Sequence, residues 1–397
     1  MKRRLLLVTS RFPFPPFGGD RLRVFHLARL LARHYRVEVL SLGPEALSVE
    51  TVEAFRAASG VDSARSLEHP RWRSLVGSVG ALFRGQPLQV GYFHSTKMQR
   101  EFNDAVGRAD LVFAHLIRTS ALWQQQRPIP AVLDMCDAIS QNLLQIGNQG
   151  SVFNPWTWVA RLESPRLVRF EIEQAANFDL VSFVANADMQ VLGLERDRAM
   201  VLTQGVDLDA YPYTKPSLRK GHKIALIGKM DTFPNRSAAL WAVEHLLPLL
   251  PAPLSLKMVG YCPADLQSRL QSFSRVEVSG PVKSIADACS DCFASIAPLN
   301  VATGIQNKAL EAFALGLPAV LSASVARGLL PQSSGVYLVA DTATQWAQAL
   351  SALDKNRTEA DQLAIRARRY IEEHHSWDAI GAALYDRLQQ LNTTRAF

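Results

Sequence analysis

The stretch TGIQNKALEAFALGLPAVLS, residues 303–322, encodes a helix, its stop and a strand in succession. Gly304 and Ile305 are expected to open the helix, Gly316 tolerates the left-handed backbone at its end, and Pro318 starts the strand. Lys308 and Glu311 are three residues apart and therefore share one helix face. A helix N-terminus presents free backbone N–H groups and positive partial charge, which suits a phosphate. A lysine there can neutralise a diphosphate, and a carboxylate one turn further can accept two hydroxyl hydrogen bonds from a ribose. The two residues can equally be a surface Lys–Glu pair on an amphipathic helix. What the stretch decides is the alternation of helix and strand.

That alternation runs through the whole chain. Apolar, strand-like runs occupy residues 4–9, 37–42, 110–115, 131–134 and 179–184, then 223–228, 254–260, 276–279, 292–298, 318–322 and 336–339. Between the first two, residues 21–33 place Leu22, Phe25, Leu27, Leu30 and Leu31 at helical spacing. This is the pattern of parallel α/β sheets, and 397 residues exceed what one such core usually supports. Residues 204–221, with Pro212 and Pro216, have the composition of a linker. The expected division is a first domain over 1–205, a linker over 206–221 and a second domain over 222–375. A closing helix over 376–397 carries Ile380, Leu384 and Leu388 in register.

One segment stands apart. PRWRSLVGSVGALFR, residues 70–84, puts Trp72, Leu75, Val76, Val79, Leu82 and Phe83 on one helical side, with Arg71, Arg73 and Arg84 at the ends. Such a helix can lie in a membrane interface, close over a lipid acceptor, or sit in a core.

Net charge is +7 and the pI near 9.3, a balance compatible with nucleic acid, an anionic membrane surface or phosphorylated substrates. The basic residues are scattered and form no nucleic-acid-binding signature. No window of 18 apolar residues occurs, so a spanning helix is not expected, and the opening MKRRLLLVTSRFPFPP reads as a buried first strand rather than an export signal. A cytoplasmic location follows as the expectation, with peripheral contact at the inner face of the membrane. Of four cysteines, Cys289 and Cys292 form a lone CxxC without further ligands, which reads as two small residues and not a zinc site.

The motif N-K-x-x-E-A-x-A-x-G-x-P-x-V, beginning at Asn307, resembles the donor-binding signature of family 4 glycosyltransferases with the GT-B fold. Four further segments resemble that family in the expected order. They are FPFPPFGGDRLRVFHLARLLARHYRVEVLSL (12–42), VLTQGVDLDAYPY (201–213), KIALIGKMDTFPN (223–235) and YIEEHHSWDAIGAALYDRL (370–388). The nearest subgroup is that of bacterial exopolysaccharide and surface-glycan transferases. The resemblance implies two Rossmann-like domains facing across a cleft, with the C-terminal helix returning to the first domain. It also implies a retaining transferase that takes a nucleoside-diphosphate sugar, passes the sugar to a glycan or lipid-linked acceptor, and needs no metal or cofactor.

Residue by residue, the resemblance has Gly18 and Gly19 let the first loop approach the donor. Lys229 stands where the family has a cation near the diphosphate, Lys308 supplies a second, Gly304 lies in the donor loop and Glu311 takes the ribose. His115 falls where the family has a histidine near sugar and acceptor, and Asp137 is a comparable catalytic candidate, whereas Asp134 reads as the end of a strand. Arg71, Trp72 and Arg73 are acceptor or membrane candidates. Two departures stand out: Thr303 replaces the first glutamate of the family's E-x7-E pattern, and Pro234–Asn235 replaces a Lys–Gly pair. Asn235 is expected to cap the following helix, and Asp207-Leu208-Asp209 reads as turn chemistry.

Three other readings compete. An NAD-dependent dehydrogenase would need GxGxxG and a ribose-binding acid, and PFPPFGGD with Ser41-Leu42-Gly43 provides neither. A nucleotide-sugar epimerase of the same architecture and a degenerate, non-catalytic binding subunit both remain open at this level.

Overall fold

The computed structural model describes residues 2–394 apart from 17–18, 124–127, 150–153, 196, 301 and 303. Gly18 and Thr303 therefore lie outside the described residues. The chain divides into two compact units, Met1–Leu202 with Ile380–Phe397, and Thr203–Ala379.

The first unit is built on seven parallel strands. They are β1 (Arg4–Thr9), β2 (Arg36–Gly43), β3 (Ser63–Glu68), β4 (Leu111–His115), β5 (Ala131–Cys136), β6 (Leu180–Phe183) and β7 (Ala199–Val201), in the order β3-β2-β1-β4-β5-β6-β7. The second holds six: β8 (Lys223–Ile227), β9 (Ser255–Val259), β10 (Val276–Val278), β11 (Cys292–Ala297), β12 (Ala319–Leu321) and β13 (Leu338–Val339), ordered β10-β9-β8-β11-β12-β13. Both sheets are Rossmann-like. Strands β4, β6 and β11 are buried along their whole length, because helices cover both faces of a parallel sheet and leave no solvent side. β3 and β7 are not foreshadowed by apolar runs. β3, Ser-Ala-Arg-Ser-Leu-Glu, is an edge strand that buries only every third residue, and β7 is three residues long.

In each sheet the chain first winds to one side and then returns to the other flank of the starting strand. The crevice beyond the carboxyl ends of β1 and β4, and that beyond β8 and β11, are the positions where open α/β sheets bind ligands.

The helix Asn307–Ala314 starts later than expected. Gly304 precedes it in a left-handed conformation (φ 58°), so it makes a turn and not the helix start. Gly316 ends it with φ 75°, and a Cβ there would stand 2.5 Å from the Thr214 carbonyl and 2.7 Å from the Tyr213 ring. Residues 206–221 fall within the second unit. Buried Arg219 donates to the carbonyls of Cys289 and Leu315, each at 2.8 Å, placing a cation at the C-terminus of the Asn307–Ala314 helix. The aspartates of the Asp207-Leu208-Asp209 triplet form a turn, with the Asp209 N–H donating to the Asp207 side chain at 3.2 Å. Cys289 and Cys292 are buried free thiols.

The helix Arg71–Phe83 is not a core helix. Trp72, Leu75, Val76, Val79, Leu82 and Phe83 are 45–87% exposed, while Ser74 and Ala81 are buried. The packed side is the one lined by small residues: Gly77 approaches Gly91 of the short helix Leu88–Tyr92 so closely that a Cβ on Gly77 would meet the Gly91 carbonyl at 2.2 Å. Among the described residues no helix is long and apolar enough to cross a membrane.

Gly316→Ala is expected to destabilise the chain by about 1–3 kcal/mol, from the forced positive φ and the clash with Thr214. Urea unfolding measures it, and unchanged stability would refute the constraint.

Candidate active site

The carboxyl rim of the first unit is organised by a buried charge. Arg23, on the helix Gly19–His34, and Asp134, on β5, are both almost fully enclosed. Arg23 donates through Nε to Asp134 Oδ2 at 2.9 Å and through Nη2 to Oδ1 at 2.8 Å, with a further bond from Nη2 to the Leu202 carbonyl at 2.7 Å. Ser182 of β6 donates its hydroxyl to Oδ1 at 2.8 Å. Burial alone would raise the Asp134 carboxyl; the Arg23 guanidinium and the hydrogen bonds outweigh it and hold the group well below the usual carboxylate range. Asp134 therefore does more than end a strand, as the sequence alone suggested. It ties a helix, three strands and Leu202 together.

His115, the last residue of β4, pairs in register with Thr9 of β1 and with Asp134 of β5, at the switch point of the sheet. Because the Asp134 carboxylate accepts, His115 Nδ1–H donates to Oδ2 at 2.9 Å, and the tautomer leaves Nε2 as a lone-pair acceptor. That Nε2 is buried without a protein partner. Burial lowers the imidazole pKa against the opposing pull of Asp134, so the ring is neutral at neutral pH.

Asp137 follows β5 by one residue and is half-buried, with Oδ1 unpartnered. Burial raises its carboxyl, Arg23 opposes and Asp134 adds to the rise. Two more acids flank the same turn. Asp188 is pushed up to about 6 by burial and by Asp137. Glu171 is pushed up to about 7 by burial, although it accepts from Ser140 Oγ at 2.5 Å and Ser140 N at 3.1 Å. Gly19 opens its helix, and a Cβ there would meet nothing within 4 Å, so no protein atom requires glycine at that place.

Ligand-type atoms of His115, Asp134 and Cys136 lie within 4.8 Å of one another, a spacing a metal could use. The groups do not fit a cation. Both Asp134 oxygens are engaged by Arg23, and the Cys136 thiol is held protonated, its pKa raised by burial and by the Asp134 charge.

In the second unit, Gly228 and Lys229 directly follow β8 at its switch point. Lys308, second residue of its helix, donates from Nζ to Asn235 Oδ1, and Asn235 Nδ2 donates to the Lys229 carbonyl at 2.7 Å. Asn235 thus does not cap the helix Phe233–Trp241, whose N-cap is Thr232; it orients the lysine instead. Burial brings Lys308 down to about 8, opposed by Glu311. Glu311 accepts from the Tyr211 hydroxyl; burial raises its carboxyl, while Tyr211 and Lys308 lower it. Gly304 lies against a second loop, since a Cβ on Gly328 would stand 2.2 Å from the Gly304 carbonyl. The N-cap residue Gln306 makes no side-chain cap on the Asn307–Ala314 helix, whose first-turn N–H groups lie beside Lys308. Lys229 is exposed.

Lys308, Glu311, Lys229 and Gly304 thus lie in one unit, His115 and Asp137 in the other, and Arg71, Trp72 and Arg73 on the exposed helix of the first. Sequence reasoning missed Arg23 and Tyr211, and read Asn235 as a helix cap and not as the partner of Lys308. Arg23 had a signal, a charged residue inside the apolar stripe Leu22–Phe25; Asn235 had none. Arg23→Met is expected to cost about 3–5 kcal/mol by stranding Asp134, and Arg23→Met/Asp134→Leu to recover much of it. The Asp134 pKa is depressed on folding, so the pair stabilises above the ordinary carboxylate range and its contribution is lost on acidification. A single variant as stable as the wild type in urea at neutral pH would contradict this.

Residues 221–356 match the family model described as Glycosyl transferases group 1. No curated protein sequence matched. Among solved structures, the chain is similar to HepE of Anabaena in complex with UDP, at 15% identity and TM-score 0.69 over 98% of this chain and 100% of that one. It is similar to sucrose-phosphate synthase from Thermosynechococcus elongatus at 16% identity and TM-score 0.69, over 99% and 100%. A glycosyltransferase from Rickettsia africae gives 12% and 0.65, over 98% of each chain. Residues 221–356 of the second unit thus resemble the glycosyl transferases group 1 family, and the chain as a whole shares the GT-B fold of these structures.

Proposed function

We propose that this protein is a glycosyltransferase, retaining and metal-independent, that moves a sugar from a nucleoside diphosphate to an acceptor hydroxyl in bacterial polysaccharide or glycoconjugate biosynthesis. The second unit takes the donor and the first the acceptor, a glycan or lipid-linked saccharide met by peripheral contact with an anionic membrane. One observation carries the donor assignment: a half-buried lysine hydrogen-bonded to a neutral amide, Asn235, beside an uncapped helix N-terminus at the sheet's switch point. Its charge is desolvated and its hydrogen bond goes to no carboxylate, so an anion is the missing complement. HepE, which shares the fold, has been solved with UDP and with UDP and glucose.

The hard step is departure of the diphosphate, as positive charge grows on the anomeric carbon and negative charge on the β-phosphate. Lys308, Lys229 and the first-turn N–H groups stabilise that phosphate charge. Glu311, held by Tyr211, receives the ribose hydroxyls, and Gly304 leaves room for the donor loop. In the first unit His115 Nε2 accepts a hydroxyl of the sugar or acceptor, and Asp137 sits at the acceptor side. The glycine pair Gly18 and Gly19 admits the donor's sugar or phosphates. Retention rests on the family resemblance.

A screen of UDP-, GDP-, ADP- and dTDP-sugars by calorimetry and slow hydrolysis tests the donor site. One nucleotide is expected to bind; binding by none would overturn the reading, and interconversion of the free sugar without transfer would mark an epimerase. Glu311→Ala is expected to weaken the donor about ten- to a hundredfold, the scale of hydrogen bonds to a charged group; unchanged donor affinity removes the ribose role. Affinity should also track the Lys308 proton. The ammonium form binds the diphosphate, so affinity is high below about pH 8 and falls as pH rises through that value, by about tenfold per pH unit. Lys308→Met should lose the dependence; a variant that keeps it points to another cation.

A further inference from the structure

We infer that two helices of the first unit, Arg71–Phe83 and Pro155–Asn177, jointly form a docking surface for an anionic lipid interface. This deepens the proposed membrane contact by naming the surface and its partner, and rests on that reading only for its purpose.

The second helix was not singled out by periodicity. Yet Trp156, Trp158 and Leu162 near its start are 54–73% exposed, as are Trp72, Leu75 and Phe83 of the first to a similar or greater degree. The two helices meet at one residue. Ser78 of the first donates to the Leu88 carbonyl at 3.1 Å, and the Leu88 N–H donates to Glu163 of the second at 2.6 Å. Val79 and Leu162, next in sequence to those anchors, turn outward. The link through Leu88 thus leaves exposed apolar residues of both helices on either side of it.

Charge selects the occupant. Residues 69–100 contain Arg71, Arg73, Arg84, Lys97 and Arg100 and no acid, and residues 138–162 contain Arg161 and no acid. Glu163, the first acid after them, is turned inward on Leu88 and Arg166. Two of the arginines lie over exposed tryptophans: Arg73 at 5.2 Å from the Trp72 ring and Arg161 at 5.3 Å from Trp158. An amphipathic ring with a cation above it matches the boundary between acyl chains and anionic headgroups. A second copy of the chain is a poorer occupant, because a two-fold interface would set this basic rim against itself. Neither helix is long and apolar enough to span, so the contact is with the interface.

The test is sedimentation of the full chain with vesicles of phosphatidylcholine, with and without phosphatidylglycerol, at low and high salt. Retention on the anionic vesicles alone, weakened by salt, is expected. Trp72→Ser/Trp156→Ser/Trp158→Ser should lower the vesicle partition coefficient by about tenfold or more, and Arg71→Gln/Arg73→Gln/Arg84→Gln by about tenfold or more on anionic vesicles. All six side chains are exposed, and matched melting curves verify folding; should the tryptophan variant not fold, the arginine variant carries the test. No retention of the wild type, or retention indifferent to both variants, overturns the proposal. So does a dimer in light scattering that the tryptophan variant abolishes, which would assign the face to a second copy. Titration of the wild type with UDP, without vesicles, bears on the donor site alone and keeps the two readings apart.

Discussion

A carboxylate buried in a protein must find compensating donors, and the first unit is arranged around the guanidinium that supplies them to Asp134. Arg23 and Asp134 leave water together, and the desolvation of each is offset only because both forks of the pair are made and the remaining valences are filled by Ser182, Leu202 and His115. The consequences spread outward. The helix after β1 is pinned to β5, β5 to β6, and the imidazole at the end of β4 is fixed in one tautomer with its Nε2 lone pair turned away from the pair. A residue that could serve as an acceptor for a substrate hydroxyl is thereby prepared by an ion pair that touches no substrate itself.

The second unit handles charge in the opposite way. Lys308 is desolvated, but its hydrogen-bond partner is a neutral amide, and the nearby Glu311 is itself bonded to Tyr211. Glu311 offsets the lysine's charge only in part, and the N-cap residue Gln306 makes no side-chain cap on the helix beside it. Where the first unit satisfies a buried charge completely, the second leaves one for an anion. That difference is the ground for proposing the donor site in the second of two sheets of otherwise similar winding.

The surface carries the same logic further. The excess of positive charge is uneven: acid-free stretches surround the exposed tryptophans of two helices, and Glu163, the acid that follows the second stretch, faces inward. Small residues, not large ones, supply the packed side of the Arg71–Phe83 helix, because two backbones can approach at Gly77 and Gly91 only without side chains. The large apolar residues are thereby left outside.

Much of this was written in the sequence. Strands covered on both faces must be apolar throughout, so the inner strands of both sheets announced themselves as runs; of the four edge strands β10 and β13 did so too, while β3 and β7 did not. The common face of Lys308 and Glu311 follows from helical spacing, and the turn role of Gly316 from its missing Cβ. Pairings between distant residues could not be read. Arg23 and Asp134 are 111 positions apart and Lys308 and Asn235 are 73 apart, and nothing in a local pattern says which strand ends will adjoin. Periodicity likewise defines which side of a helix is apolar, but only its neighbours decide whether that side is core or surface. For residues 71–83 the tertiary structure placed a glycine contact on the other side, and the apolar face was left to the solvent.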